Sequence, residues 1–187
     1  MIKLPSIVTL LSLCAVLIGC AGDGEAPASK AVSTIEVPEG WVLYDVSSLS
    51  YSLVAPVGWE LDTTGKMNTA MILFTPADST NDYFKENVNL MVDDVTGKNL
   101  NIDAYMDQSV GLIQKFITDL EDFEARKENG EYWLTYKGRQ GTLKASYYQR
   151  LMMKGQMAYI LTYTSIDGKP SQSHSIAQEI IQRFTLR

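Results

Sequence analysis

From residue 41 onward, the chain alternates between runs of period two, typical of strands, and two runs of helical period. The first four predicted strands are residues 41–46, 50–55, 71–75 and 86–95. In the last of these, Val88, Leu90 and Val92 share one face and polar residues occupy most of the other. This alternation predicts a sheet that turns one face toward a core.

Residues 101–122 carry the clearest helical pattern in the sequence. Asn101 is a good N-cap, and Asp103 lies in the first turn, where its charge suits the helix dipole. A broad, mostly apolar stripe recurs at three- and four-residue steps: Tyr105, Met106, Ser109, Leu112, Ile113, Phe116, Ile117 and Leu120. The stripe predicts that this helix packs on a sheet.

A meander of turns and strands follows the helix. Asn129-Gly130 is a strong hairpin signal, because both central residues of a type I′ turn need positive φ. Further turns are predicted at residues 138–141 and at Gly155-Gln156. The predicted strands between them are residues 123–128, 131–137, 142–154 and 157–165. Strands linked by hairpins predict a mainly antiparallel sheet.

Residues 172–184 form the second predicted helix, which buries Ile176, Ala177, Ile180 and Ile181 together with Phe184. The fold class is therefore α+β, a mainly antiparallel β-sheet with amphipathic helices packed on it. The two helices cover both faces of the sheet or share one; the sequence leaves both arrangements open.

The N-terminal segment differs from the rest of the chain. Lys3 precedes an uncharged, mostly apolar stretch at residues 4–18, shorter than the ~20 residues of a membrane span. It indicates a secretory signal peptide. The Leu17-Ile18-Gly19-Cys20 motif resembles the bacterial lipobox, in which the Cys thiol receives a diacylglycerol. We therefore expect a lipoprotein signal peptide at residues 1–19 and lipidation, including palmitate, at Cys20; an ordinary signal peptide with a chance Cys is the alternative.

Residues 20–40 are rich in Gly, Ala, Ser and Pro and lack an apolar period, which indicates a flexible tether. One α+β domain is then predicted at residues 41–187. This organisation predicts a lipoprotein of the bacterial cell envelope that faces the periplasm, with the membrane as partner through the lipid on Cys20. The sequence here also resembles the enterobacterial sorting signal: residue 21 is Ala rather than Asp, and by that resemblance the outer membrane is expected rather than the inner.

The composition of the chain excludes several classes of function. The 187 residues are 45% hydrophobic, which excludes disorder along the whole length, and the net charge of −6 argues against nucleic acid as a partner. The chain has only two Cys and one His, which are the residues that most often bind metals or react as thiols. We therefore expect no metal and no cofactor.

No motif predicts a catalytic residue. His174 stands between Ser173 and Ser175, but the chain lacks a G-x-S-x-G motif, so we expect a solvated or capping His. Asp93 and Asp94 are adjacent on a strand and so face opposite sides. A hydrolase that uses these carboxylates and His174 is the weakest alternative. The loop at residues 78–82 lacks EF-hand spacing and is predicted to be solvated rather than to bind calcium.

Aromatic residues concentrate on the meander: Tyr132, Trp133, Tyr136, Tyr147, Tyr148, Tyr159 and Tyr163. Because successive residues of a strand point to opposite faces, Tyr132 and Tyr136 lie on one face and Trp133 on the other. Tyr147 and Tyr148 likewise point to opposite faces. Core and cross-strand packing accounts for most of them. Where a helix leaves part of a face uncovered, Tyr and Trp beside a cation suit a protein or ligand contact. The candidate binding face comprises Trp133, Tyr147, Tyr148 and Arg150.

The order of these elements resembles the PsbP-like fold. The stretches that carry the resemblance are residues 51–59 (YSLVAPVGW), 86–92 (ENVNLMV), 157–165 (MAYILTYTS) and 176–186. That fold is an antiparallel sheet between helices, shared by the photosystem II extrinsic protein, a Ran-binding import factor and DcrB-like bacterial envelope lipoproteins. The resemblance supplies no active site and implies a protein that works by docking.

Together these patterns predict a non-catalytic binding module that acts as an accessory or assembly factor for an envelope protein partner. A small-ligand carrier, with a pocket between sheet and helix, is the alternative.

Overall fold

The computed structural model describes residues 35–77, 84–168 and 173–187. Glu36–Arg187 form one compact unit that contains both hydrophobic cores of the protein. The predicted signal peptide, Cys20 and the predicted tether up to residue 34 lie outside the described residues, as does the loop at residues 78–82. Within the described residues, no helix is both long and apolar enough to cross a membrane.

The fold class is α+β, as the sequence predicts. The helices are α1 (Ile102–Phe116) and α2 (Ser173–Arg183), and short 3-10 helices lie at Ser47–Leu49 and Lys66–Asn68. The strands are β1 (Trp41–Val46), β2 (Tyr51–Pro56), β3 (Glu60–Asp62), β4 (Met71–Phe74), β5 (Asn87–Asp94), β6 (Thr118–Glu128), β7 (Glu131–Gln140), β8 (Leu143–Lys154), β9 (Met157–Ile166) and β10 (Thr185–Leu186).

Two antiparallel sheets form the described part of the chain. The larger has seven strands in the order β3-β4-β5-β9-β8-β7-β6, and the smaller has three in the order β1-β2-β10. The hairpins β6–β7, β7–β8 and β8–β9 are the meander that the sequence predicts. β3 and β10 were not predicted, because strands of three and two residues are too short to show a period of two.

The two helices cover opposite faces of the seven-stranded sheet. Met106 of α1 packs with Leu134, Tyr136 and Leu151. The other core joins α2 and the three-stranded sheet to the larger sheet, through residues that include Tyr51, Leu161, Tyr163, Ile180, Ile181 and Phe184. Of the two arrangements that the sequence left open, the structure has helices on both faces.

α1 begins where predicted but ends earlier. The Asn101 side chain accepts a hydrogen bond from the Ala104 N–H at 2.9 Å, which confirms the N-cap. The helix stops at Phe116 rather than at residue 122, and Thr118–Glu128 is strand β6, paired with β7. The predicted stripe is also narrower in the structure, since Leu112 is 55% and Phe116 is 59% exposed.

The turn predicted at residues 138–141 is wrong in its first half. β7 runs through Gly138 to Gln140, and the chain turns only at Gly141 and Thr142. Gly138 is buried, and a Cβ there would collide with the Ile117 side chain and lie 2.9 Å from the Thr118 carbonyl. Gly138 therefore allows a close approach of β6. The Asn129-Gly130 turn is confirmed, with φ of 51° and 81°.

Candidate functional site

α2 leaves part of its own sheet face uncovered. The helix packs against β2, β5, β8 and β9, while β6 and β7 extend beyond it. The result is an open groove, here called the α2 groove, with α2 as its wall and β6, β7 and β8 as its floor. Its lining includes Glu124, Arg126, Trp133, Thr135, Lys137, Ser146 and Tyr148 on the floor, and His174, Gln178 and Gln182 on the wall.

Strand register arranges the floor in three rows that cross the sheet. One row is Arg126–Trp133–Arg150, the next is Glu124–Thr135–Tyr148, and the third contains Lys137 and Ser146. Residues directly opposite each other on antiparallel strands point to the same face. The floor therefore follows from period-two alternation on three neighbouring strands.

The wall follows from helical period. His174, Gln178 and Gln182 are four residues apart, so they occupy one side of α2 on successive turns. At ~1.5 Å per residue, this polar row is about 12 Å long. Two adjoining cavities of about 630 and 690 Å³ lie along it, and both are lined by Glu124 and Thr135.

Trp133 is the centre of the end nearest the C-terminus of α2. Its ring lies 5.9 Å from that of Tyr148, and the Arg150 and Arg126 guanidinium carbons lie 5.0 and 5.8 Å from its centroid. Both distances fall within the range of cation–π attraction. Burial raises the pKa of Tyr148, and a hydrogen bond with Gln182 opposes that shift. This end of the groove joins aromatic surface to positive charge.

Arg150 is held by several partners. Its guanidinium forms a bidentate ion pair with Glu131, at 2.7 and 3.1 Å. Nη1 also donates to the carbonyls of Ile181 and Phe184 at 2.8 and 3.0 Å, and to that of Gln182 at 3.3 Å. These carbonyls lie at the C-terminal end of α2, where a cation is favourable. Arg150 therefore fixes the helix end to the groove floor.

The opposite end of the groove, near the start of α2, is rich in ion pairs. Lys137 Nζ donates to Asp122 at 2.8 Å. Asp167 accepts from Ser146 Oγ at 3.2 Å and pairs with Lys144 at 3.1 Å. The hydrogen bond from Lys144, followed by that from Ser146, lowers the pKa of Asp167. Exposed His174 meets the Tyr163 ring edge-on at 5.6 Å.

The structure brings together three of the four residues of the candidate binding face. Trp133, Tyr148 and Arg150 are neighbours at the groove floor, but Tyr148 is only 6% exposed and the Arg150 side chain only 12%, so both are largely covered. Tyr147 lies on the opposite face, where it is 7% exposed and stacks on Tyr136 with centroids 4.6 Å apart. Tyr147 thus belongs to the core under α1 and is removed from the candidate face.

Several lining residues were missed by the sequence analysis. Thr135 lies exposed in the middle row of the floor, and Gln178 and Gln182 form most of the wall. The polar row on α2, at i, i+4 and i+8 beside a buried row, was a signal that could have identified the wall. Arg126 could have been placed beside Trp133 by continuing the strand pairing from the Asn129-Gly130 turn.

The residues considered for hydrolysis are not brought together. Asp93 accepts a hydrogen bond from the Tyr105 hydroxyl at 3.2 Å, and Asp94 accepts from the Thr96 N–H at 2.9 Å. His174 contacts Tyr163, whose partner on β5 is Val88, six residues from Asp94. At ~3.3 Å per residue, that separation is about 20 Å. Among the described residues, no three His, Cys, Asp or Glu side chains form a group that could hold a metal ion.

Comparison with known proteins identifies the fold. No protein-family model matches the chain, and no curated protein matches it. Several solved structures are similar to it. The cyanobacterial PsbP (CyanoP) of Synechocystis sp. PCC 6803 is 14% identical with a TM-score of 0.55, over 86% of this chain and 98% of that chain.

Two further structures are similar to the same extent. PA94 from Pseudomonas aeruginosa, a protein of unknown function, is 14% identical with a TM-score of 0.53, over 79% of this chain and 97% of its own. The Ran-binding protein Mog1p of Saccharomyces cerevisiae is 10% identical with a TM-score of 0.54, over 78% of this chain and 95% of its own. These similarities confirm the PsbP-like fold that the sequence patterns resemble.

Proposed function

We propose that this chain is a lipid-anchored, non-catalytic binding module of the bacterial envelope, and that its α2 groove binds an extended segment of an envelope protein. The observation that carries the proposal is the uncovered sheet face beside α2, with exposed Thr135 at its centre. One protein of the same fold, yeast Mog1p, is described as Ran-binding, so the fold is compatible with protein recognition.

The lining suits an extended polypeptide. The Gln178 and Gln182 side chains each offer an amide donor and acceptor to a peptide backbone that runs along α2. Half-buried Trp133 supplies apolar contact at one end, where its ring packs on the buried Tyr148; aromatic residues of this kind are enriched at protein interfaces. An open groove about 12 Å long admits a chain that continues beyond both ends, whereas a closed cavity would not.

A small-ligand carrier is the second candidate, because each cavity has a volume within the ~300–1,000 Å³ of ligand pockets. The two candidates differ in the mass of what is bound. Native mass spectrometry of protein purified gently from its bacterial host, showing a bound species of small-molecule mass, would favour the carrier. The binding module predicts the unliganded mass in the absence of the partner.

The anchor is proposed from the lipobox at Cys20 and the tether that follows it. A coil of about 18 residues reaches roughly 20–25 Å, from ~5–6 Å × √n, so the domain could meet partners away from the membrane surface. We expect Cys20→Ser to release the protein from the membrane fraction or to block its processing. Fractionation and intact mass, compared between Cys20→Ser and wild type, check this. Unchanged membrane association together with an unchanged modification mass would contradict the anchor.

The groove is tested by filling it. Thr135→Trp adds bulk at the centre of the floor without removing a core contact, and Trp is a favourable strand residue. Met91→Trp is the matched control, because Met91 is 41% exposed on β5 and does not line the groove. After crosslinking in intact cells, the proposal predicts that Thr135→Trp loses the co-purified envelope partner and Met91→Trp keeps it. Equal partner recovery with both variants would contradict it.

A further inference from the structure

β1 is an edge strand whose outer side pairs with none of the described residues. Val42 and Leu43 point to opposite faces of the three-stranded sheet, and each is 39% exposed. A strand added at this edge would therefore cover apolar surface on both faces. The same strand would also satisfy the backbone groups that β1 directs away from β2.

The pairing with β2 identifies those backbone groups. The Val57 N–H donates to the Gly40 carbonyl at 2.9 Å, and Pro56, which has no N–H, lies opposite Trp41. In an antiparallel pair, hydrogen-bonded and non-hydrogen-bonded positions alternate. The even-numbered residues of β1 therefore bond to β2, and the N–H and C=O of Leu43 and Asp45 point outward. The Trp41 N–H already donates to the Pro38 carbonyl at 3.1 Å.

β1 also lacks the features that protect the other edges. β6 has register shifts with positive φ at Asp119 and Asp122, and its sequence is rich in charges. β3 has three residues and β10 has two. By contrast, β1 is six residues long, regular in register, and carries one charged residue, Asp45. Bulges, charges and short length are the usual protections of an edge against pairing.

We propose that β1 pairs antiparallel with β1 of a second copy of this chain, about a twofold axis at Tyr44. Leu43 of each copy then exchanges backbone hydrogen bonds with Asp45 of the other, which uses the outward groups on both strands. The two small sheets become one six-stranded sheet with β1 next to β1. Val42 of each copy faces Val46 of the other.

Charge and edge geometry favour a second copy as the occupant. In this register Asp45 lies opposite Leu43 rather than opposite the Asp45 of the other copy, so no like charges meet. Asp45 keeps its ion pair with Arg187, at 2.7 Å. Among the described strands, the other sheet edges are short or protected, so the edge that best matches β1 of one copy is β1 of another. Pairing of one surface with itself gives a closed dimer rather than a filament.

The segment 36–187 is suited to the test, because it is one compact unit that holds both cores and contains no Cys. In Tyr44→Cys, the introduced thiols face each other at a non-hydrogen-bonded pair with a Cα separation of about 4.5 Å, within disulfide range. Val57→Cys is the control, because Val57 is 71% exposed and lies outside β1. Mild oxidation should convert most of Tyr44→Cys to a disulfide-linked dimer and little of Val57→Cys.

Leu43→Pro provides an independent test that does not depend on a reactive thiol. It removes an N–H that points to the free edge, so the bonds between β1 and β2 remain. We expect wild type to sediment as a dimer and Leu43→Pro to weaken the dimer about tenfold or more, with an unchanged urea transition of the monomer. A monomeric wild type, or equal disulfide formation at positions 44 and 57, would overturn the proposal. Because Thr135 and β1 lie in different sheets, neither result decides whether the α2 groove binds a partner.

Discussion

Arg150 has a different role from the one expected of it. In the sequence analysis it is named with Trp133, Tyr147 and Tyr148 as a candidate binding face, and in the structure it lies next to Trp133. Its side chain is only 12% exposed, and its donors are engaged by Glu131 and by carbonyls at the end of α2. Arg150 therefore positions the groove wall, which leaves Arg126 as the more accessible cation at this end.

We expect Arg150→Ala to lower the free energy of unfolding by about 2–4 kcal/mol, because the partly buried Glu131 carboxylate and the helix-end carbonyls lose their partner. Arg150→Lys should lie between Ala and wild type, since Lys cannot form the bidentate pair. Urea unfolding monitored by circular dichroism checks both variants.

Arg139 provides the matched control for Arg150. Its ion pair with Asp119 spans 3.3 Å, but both side chains are about half exposed, with relative exposures of 45% and 63%. Exposed pairs of this kind contribute ~0–1 kcal/mol. Arg139→Ala should therefore change the unfolding free energy by less than about 1 kcal/mol. Equal losses for Arg150→Ala and Arg139→Ala would contradict the role assigned to Arg150.

At the scale of elements, the boundary between α1 and β6 explains the main error of the sequence analysis. Ile117, Leu120 and Phe123 all face the core under α1, at steps of three residues. In a regular strand, residues on one face are two apart, but β6 has two register shifts in this region. Each added residue lengthens the step to three, which imitates a helical period. Bulges depend on pairing with β7, so the local sequence could not reveal them.

Gly138 makes this boundary testable. Gly138→Ala places a methyl group against Ile117 and the Thr118 carbonyl, so we expect a loss of about 1–3 kcal/mol in unfolding free energy. Gly111→Ala is the matched control: Gly111 lies within α1, its added Cβ would meet nothing within 4 Å, and Ala favours a helix by ~0.5–1 kcal/mol. The two substitutions should therefore shift the urea midpoint in opposite directions. A stabilised Gly138→Ala would contradict the close approach of β6 and β7.

At the scale of the whole molecule, most of the seven-stranded sheet followed from local patterns. Three hairpin turns, four hairpin strands and both helices were located by alternation and turn chemistry, although α1 ends earlier than predicted and the second turn begins later. Local patterns did not predict that β1, β2 and β10 form a second sheet. β2 and β10 are about 130 residues apart, and their pairing depends on where α2 docks. The same holds for the α2 groove. Its floor can be predicted from the local alternation of neighbouring strands, but its opening exists because α2 stops short of β6 and β7, which the local sequence does not show.

The proposed lipid-anchored binding module would account for the polar row that α2 presents beside the groove. The anchor would hold the domain at the membrane, and the groove would select the partner. These are separate parts of the chain, so the loss of one is expected to leave the other intact. In Cys20→Ser, the folded domain should therefore still bind its partner when both are present in the same compartment.

The most direct measurement is site-specific photocrosslinking in intact bacteria, with a photoreactive side chain at Thr135 and, separately, at Met91. Thr135 is exposed on the groove floor, and Met91 is exposed on another strand outside it. If the α2 groove binds a protein, position 135 gives a discrete protein adduct and position 91 gives none of that mass. No adduct at position 135, or the same adduct from both positions, would contradict the assignment of the α2 groove as a protein-binding site.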